Sequence, residues 1–254
     1  MTEPRILLYD IETTPSLVYT WSHWNTNVIA TAKDWEILSF AWKWLGTKKV
    51  SFASTQGAKN DKHVVKMLWQ LLDEADIVIA HNGDKFDQKK ANTRFMKWGL
   101  GPPSPYQSID TLKEVRRSLS HYSNSLNELG RYHELGHKIE HTGVQLWLDC
   151  MAGDPKAWKL MEKYNRQDVL LLEKVYLTLR PFIGIPGRAA HPNLGLWKPG
   201  ELVCTKCASS DVVKRGFHRT LVSLYQTIYC KNCTGYSRIR VREPQEKGKA
   251  VQAV

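Results

Sequence analysis

Asp10 and Glu12 stand two residues apart in RILLYDIE, residues 5–12. On a strand, Ile6, Leu8, Asp10 and Glu12 share one face and Leu7, Tyr9 and Ile11 share the other. Apolar residues on both faces mark a strand covered on two sides. A carboxylate buried there without a cation is strongly destabilised or takes up a proton, so acids in such places point to a metal or a catalytic task. The alternative is a strand that ends at Asp10, with both acids in solvated loop. Tyr164 and Asp168 are four apart on a helix expected from about Pro155 to Leu179 and therefore share a face. That face continues through Leu171 or Leu172, Val175 and Leu179, so it packs inward and carries Asp168 with it. Asp168 is then either a functional acid or half of a structural salt bridge to an Arg or Lys. Asp87, in HNGDKFDQ, opens a helix, where capping is the plain role for an acid. Asp84, three residues earlier, competes with it for any functional role.

Cysteines form the second group. Cys204-x2-Cys207 and Cys230-x2-Cys233 are two pairs with 22 residues between them, while Cys150 stands apart. Four thiolates placed tetrahedrally bind one structural Zn²⁺ and supply folding energy that a segment of ~45 residues does not gain from its own core. A disulfide framework is disfavoured because nothing marks the chain as secreted. With four cysteines present, His218 is not needed as a ligand.

The elements that must position these groups can be read from periodicity. Strands are expected at 5–12, 16–21, 36–45, 49–53, 76–82 and 107–110. Helices are expected at 61–75, 86–98, 111–119, 124–134 and 155–179, with a Gly/Pro loop at 99–105. Strands first, then strands alternating with helices, predict an α/β fold with a mixed sheet. Residues 181–200, with four Pro and four Gly, read as a linker. The expected organisation is therefore a catalytic-type domain at 1–180, the linker at 181–200, a cysteine domain at 201–243 and a disordered tail at 244–254.

The 254 residues carry 36 Lys+Arg against 25 Asp+Glu. Residues 188–254 hold 12 of those bases and only 4 of the acids. That excess favours a polyanionic partner. No apolar run approaches the ~20 residues that span a bilayer, and no signal peptide opens the chain, so a non-secreted, cytoplasmic protein without a membrane partner is expected. Other groups carry weaker signals. His133, His137 and His141 recur every fourth residue but read as surface histidines, and Asp110 reads as the N-cap of helix 111–119. Asn124, Ser125 and Asn127 read as capping residues or phosphate contacts. The ten tryptophans read mostly as core, with one or two available to stack bases.

In order and type, DIET at 10–13, NGDKFD at 82–87 and YNRQD at 164–168 resemble the three exonuclease motifs of the DEDD superfamily of 3′→5′ exonucleases, which have a ribonuclease-H-like fold. The likeness spans roughly residues 5–180 and is nearest to the tyrosine branch, which includes polymerase proofreading domains. It implies Asp10, Glu12, Asp87 and Asp168 as the catalytic and metal-binding acids and Tyr164 as the branch's tyrosine. The spacing from Asn82 to Phe86-Asp87 selects Asp87 over Asp84. It further implies two Mg²⁺ or Mn²⁺ ions, with Asp10 bridging both, Glu12 and Asp168 completing the first and Asp87 supporting the second through water. Tyr164, with an ordinary pKa near ~10, orients the attacking water rather than deprotonating it. Asn82 and Phe86 position the terminal nucleotides, although Phe86 serves equally well as a core residue.

The cysteine segment resembles zinc ribbons of nucleic-acid-processing proteins. In it Lys214, Arg215, Arg219, Arg238, Arg240 and Arg242 interleave with Phe217, Tyr225, Tyr229 and Tyr236, a mixture suited to phosphate contact and stacking. A solvated basic surface and a protein-docking module are the alternatives. The expected activity is metal-dependent 3′→5′ exonuclease, on DNA before RNA, with a polymerase or another replication or repair protein as partner in trans. The rivals are an exoribonuclease and a non-catalytic binding or recruiting module.

Overall fold

The structure is a computed structural model that describes residues 3–24, 26–183, 191–221 and 223–241. Part of the expected linker, Arg242 and the expected disordered tail lie outside the described residues. These fall into two compact units, 5–116 with 120–176, and 177–241 with 3–4 and 117–119.

The larger unit is built on a five-stranded mixed sheet. Its strands in chain order are β1 (Ile6–Thr13), β4 (Ile37–Trp44), β5 (Ser51–Ser54), β6 (Ile77–Ala80) and β7 (Gln107–Asp110), while β2 (Leu17–Tyr19) and β3 (Ala30–Lys33) form a separate two-stranded ribbon. The sheet runs β5-β4-β1-β6-β7. β1, β6 and β7 are parallel, and β4 and β5 are antiparallel additions on the other side of β1. Helices α1 (Lys62–Glu74) and α2 (Asp87–Lys97) cover the face of β1 that carries Leu7, Tyr9 and Ile11, through Val64, Leu68, Leu72 and Phe95. The later helices are α3 (Thr111–Ser118), α4 (Leu126–Tyr132), α5 (Val144–Met151) and α6 (Pro155–Leu179). Leu146 and Cys150 of α5 and Trp158, Met161 and Tyr164 of α6 pack with Leu38 in a second core. The mixed sheet flanked by helices agrees with the α/β expectation.

Two elements differ from expectation. β3 and α5 were not expected: every residue of β3 is exposed, and α5 buries only Leu146 and Cys150, so neither has an apolar period to detect. The tryptophans are mostly core, as expected: Trp158 is buried, and Trp42, Trp44, Trp69, Trp98 and Trp147 pack against the two core clusters, while Trp21 and Trp24, in the turn of the β2–β3 ribbon, are exposed.

The smaller unit carries β8 (Val212–Arg219), β9 (Leu224–Cys230) and β10 (Tyr236–Arg240) in an antiparallel sheet of order β10-β9-β8. Its core cluster is Cys204, Cys230 and Cys233, with Cys207 and Val212 packed against it. This is the small ribbon-type domain that the cysteine spacing predicted.

Candidate active site

β1 places Asp10 and Glu12 where its cover thins, for burial falls from complete at Leu7–Tyr9 to partial at Asp10, Glu12 and Thr13. The inward face of α6 brings Asp168, fully buried, to the same point. One carboxylate oxygen from each of Asp10, Glu12 and Asp168 lies within 4.8 Å of the others. Asp87 is not part of that triad. Its Oδ1 accepts the Ile11 N–H at 3.0 Å, which ties the first turn of α2 to β1 between the two strand acids. Asp84 is engaged elsewhere, with Lys113 Nζ at 2.5 Å and the Ser108 hydroxyl at 2.7 Å.

Electrostatics define the cluster. Burial, then the neighbouring charge of Asp168, pushes the Asp10 carboxyl up to about 7. Burial and the Asp10 charge raise both Glu12 and Asp87 well above the carboxylate range. Burial also raises Asp168, against the pull of Lys138. Lys138 is the cation that sequence reasoning missed, and its Nζ lies 2.5 Å from Asp168 Oδ2 and 3.3 Å from the Tyr164 hydroxyl. Burial works against the Lys138 ammonium, yet the charges of Asp168 and Asp10 raise its pKa above that of ordinary lysine. The salt bridge considered for Asp168 therefore exists.

Residue by residue, the neighbours have definite duties. Asn165, also missed, donates from Nδ2 to Asp10 Oδ2 at 2.8 Å and accepts the Ser39 hydroxyl at 3.3 Å, which fixes the Asp10 rotamer. Asn127 accepts the Lys138 N–H at 2.9 Å, while Ser125 caps α4 through the Glu128 N–H at 3.3 Å. Asn82 adopts φ 67°, unusual for a residue with a side chain, and its N–H donates to Asp110 Oδ1 at 2.9 Å. Asp110 Oδ1 also accepts the Leu112 N–H at 3.0 Å, the expected cap of α3. Of the three periodic histidines, His141 packs its ring 4.8 Å from that of Tyr164, and His133 faces His121. Among the described residues none of them joins a metal-type cluster. Phe86 is 37% exposed, so it is a surface side chain rather than core. A cleft of about 470 Å³ opens beside Thr13, lined by Ser16, Trp35, Lys90, Val144 and Trp147. Lys90 Nζ stands 3.7 Å over the Trp35 ring and 5.7 Å from that of Phe86.

The residues fit a divalent cation. Among the described residues Lys138 is the cation paired with this group of four carboxylates, and Asp168 Oδ1 is buried with no hydrogen-bond partner among them. An all-oxygen donor set suits Mg²⁺ or Mn²⁺.

In the smaller unit, Cys204, Cys207, Cys230 and Cys233 bring their sulfurs within 4.8 Å of one another. The Cys204–Cys233 and Cys207–Cys230 separations are both 3.6 Å. Zn–S bonds of about 2.3 Å at tetrahedral angles place sulfurs roughly 3.8 Å apart, whereas a disulfide requires about 2 Å. The four thiols therefore suit a single tetrahedral ion. Lys214, Arg215 and Arg219 lie on β8 and Arg238 and Arg240 on β10.

A mixed sheet with acids gathered on its first strand and last helix defines an α/β protein of the ribonuclease-H-like type. Residues 7–180 match the RNase_H superfamily, and the chain belongs to it. Among solved structures it is similar to the family B DNA polymerase from the hyperthermophilic archaeon Pyrobaculum calidifontis, with a TM-score of 0.53 and 14% identity. The match covers 71% of this chain and 26% of that one, so the chain corresponds to about a quarter of that polymerase. No curated protein matches the chain. No helix among the described residues is long and apolar enough to cross a membrane.

Proposed function

We propose that the protein is a metal-dependent 3′→5′ exonuclease that hydrolyses phosphodiester bonds from nucleic-acid 3′ ends, acting on DNA before RNA. The observation that carries this reading is the meeting of Asp10, Glu12 and Asp168 beside Tyr164 in a chain of the RNase_H superfamily. Two divalent ions held there would supply stabilisation of the attacking and leaving oxygens. Asp10, Glu12 and Asp168 would hold them, with Asp87 in support from behind β1. Asn165 locks Asp10 in place. Burial and the Glu12 charge raise the Tyr164 phenol above its ordinary pKa, so it stays protonated and orients the attacking water by hydrogen bond. Lys138 steadies both that hydroxyl and Asp168. Trp35 and Lys90 line the neighbouring cleft, with the Phe86 ring 5.7 Å from the Lys90 ammonium, and they suit a terminal nucleotide, with the ammonium for its phosphate and the rings for its base. The polymerase-like motifs and the similarity to a DNA polymerase favour DNA and a polymerase partner in trans. The ribbon, holding one structural Zn²⁺, acts as a tether through Lys214, Arg215, Arg219, Arg238 and Arg240.

The Lys138–Asp168 ion pair supports one rival, a non-catalytic nucleic-acid-binding module in which an ammonium permanently satisfies the buried acid. Incubation with 3′- and 5′-labelled DNA and RNA, single- and double-stranded, in Mg²⁺ and in Mn²⁺ decides between them. Stepwise shortening from the 3′ end, faster on DNA, is expected. Binding without release of nucleotides would establish the module, and faster shortening of RNA an exoribonuclease.

A further inference from the structure

A cavity of about 610 Å³ opens in the smaller unit, lined among others by Asn193, Lys206, Phe217, His218, Tyr236 and Arg238. Its volume falls within the roughly 300–1,000 Å³ of small-molecule sites. A bulge builds one wall. The β8–β9 register shifts between Lys214 and Phe217, Gly216 takes φ 73° where a side chain would be strained, and Gln226 Nε2 donates to the Gly216 carbonyl at 2.7 Å. Phe217 is left 63% exposed, and Tyr236 57%. Another part of the lining is polar and fixed. Thr205 and Ser237 join their hydroxyls at 2.7 Å, and Lys206, only 3% exposed, donates its ammonium to the Pro181 carbonyl.

The lining thus combines aromatic faces, hydroxyls, an amide and two cationic side chains, with no carboxylate among the described residues. A ligand complementary to it is flat, apolar on its faces, polar at its edges and attached to negative charge. An unpaired nucleobase on its phosphodiester chain meets all four conditions; a paired base does not, because its edges and faces are used in the duplex. The surrounding sheet extends the match. Tyr236 pairs with Tyr229, Arg238 with Thr227 and Arg240 with Tyr225, so alternation places three tyrosines and two arginines on one face, with Phe217, paired to Gln226 and through it to Ile239, on the other. Arg215 lies 5.8 Å over the Tyr229 ring on that same sheet.

We infer that the ribbon binds single-stranded nucleic acid by taking one unpaired base into this cavity against Phe217, while Arg238, which also lines it, and Arg240 beside it on the edge strand β10 hold the adjoining phosphates. This deepens the tether reading and rests on it: binding becomes base-dependent and selective for single strands. An affinity measurement separates it from hydrolysis. Full-length Asp10→Ala protein, zinc-loaded, is titrated with a labelled oligothymidylate, an abasic strand of equal length and a duplex, over a range of salt. Phe217→Ala, and Phe217→Leu, which keeps apolar volume without a π face, should weaken oligothymidylate binding roughly 5- to 150-fold with an unchanged salt slope. The abasic strand should bind weakly to the parent and be indifferent to both substitutions. Arg238→Ala with Arg240→Ala should instead flatten the slope of log K against log salt by about 0.7 for each phosphate no longer neutralised. Zinc content of one ion per chain verifies that each variant keeps its fold. Equal affinity of the parent for abasic and natural strands, or of the zinc-loaded Phe217→Leu variant for oligothymidylate, overturns the inference, and a nuclease that fails to cleave leaves these readings intact.

Discussion

At the site, four carboxylates share one lysine. Asp10→Ala should abolish hydrolysis while the circular-dichroism spectrum stays native, since Asn165 gives up one hydrogen bond and the backbone pairing with Ala41 is untouched. Residual release of nucleotides above background would displace Asp10 from the centre. Tyr164→Phe should slow the reaction by less than the ~10²-fold typical of losing a general acid or base, because only orientation is lost; single-turnover rates decide it. The same carboxylates make metal-free protein sensitive to alkali. Asp10 rises in the folded state from 3.8 to about 7, and Glu12 and Asp87 rise as well. The folded state then binds more protons than the unfolded one between those values, so stability falls as pH increases from about 4 to 7. In EDTA the larger unit should melt lower at pH 8 than at pH 6, by roughly 2–4 °C for each kcal/mol lost. Mg²⁺ should restore it more at pH 8, where the carboxylates are charged. Melting curves that coincide at both pH values would show that the acids are relieved some other way. The triad acids were legible from sequence because two periodicities, two on a strand and four on a helix, point them inward. Lys138 was not, for it stands in an irregular stretch between α4 and α5 where no period assigns a direction.

Among the elements, α6 contributes most to positioning, since one face carries Tyr164, Asn165 and Asp168 and continues inward through Leu171, Leu172 and Val175. Its depth is set partly by Gly130 of α4, where an added Cβ would lie 2.6 Å from the Gly136 carbonyl and 2.7 Å from Leu171 Cδ1. Gly130→Ala, although a better helix former, should therefore destabilise the protein by about 1–3 kcal/mol in denaturant melts. It should lower activity as well, because Leu171 is less than one turn from Asp168. An unchanged midpoint would mean that α4 yields without moving α6. Elsewhere Asp61 binds α1, α2 and β4 together, accepting Arg94 Nε at 2.6 Å, the Trp98 indole N–H at 2.9 Å and the Ile37 N–H at 3.0 Å. The sheet strands, α1 and α6 were readable because each repeats apolar residues over several periods. β3 and α5 were not, one exposed throughout and the other two turns long, and the resulting ribbon displays Tyr19, Trp21 and Trp24 on the surface.

For the molecule as a whole, stability in the two units has different sources. The larger unit has an apolar core from both faces of its sheet, whereas the cluster at the heart of the smaller one consists of Cys204, Cys230 and Cys233 with Cys207 and Val212. Without an ion, that cluster is four thiols beside Val212, and bringing thiolates so close would be repulsive. Metal binding by such centres is worth about 10–16 kcal/mol in peptides, so the ion and the fold of the ribbon should be lost together. Strong chelation, or Cys204→Ser with Cys207→Ser, should remove hydrogen-exchange protection from β8, β9 and β10 while β1, β4, β6 and α1 remain protected. Eight Lys/Arg against two acids in residues 191–241 add the functional consequence. Once unfolded, these charges no longer form one array, so binding of a long single strand should weaken and its salt slope should become shallower without vanishing, as the cleft beside Thr13 keeps Lys90. Short oligonucleotides at high enzyme concentration should still be degraded in Mg²⁺. Loss of protection in β1 and α1 together with the ribbon would show instead that zinc supports the whole chain, and an unchanged salt slope after chelation would assign the ribbon to a protein partner.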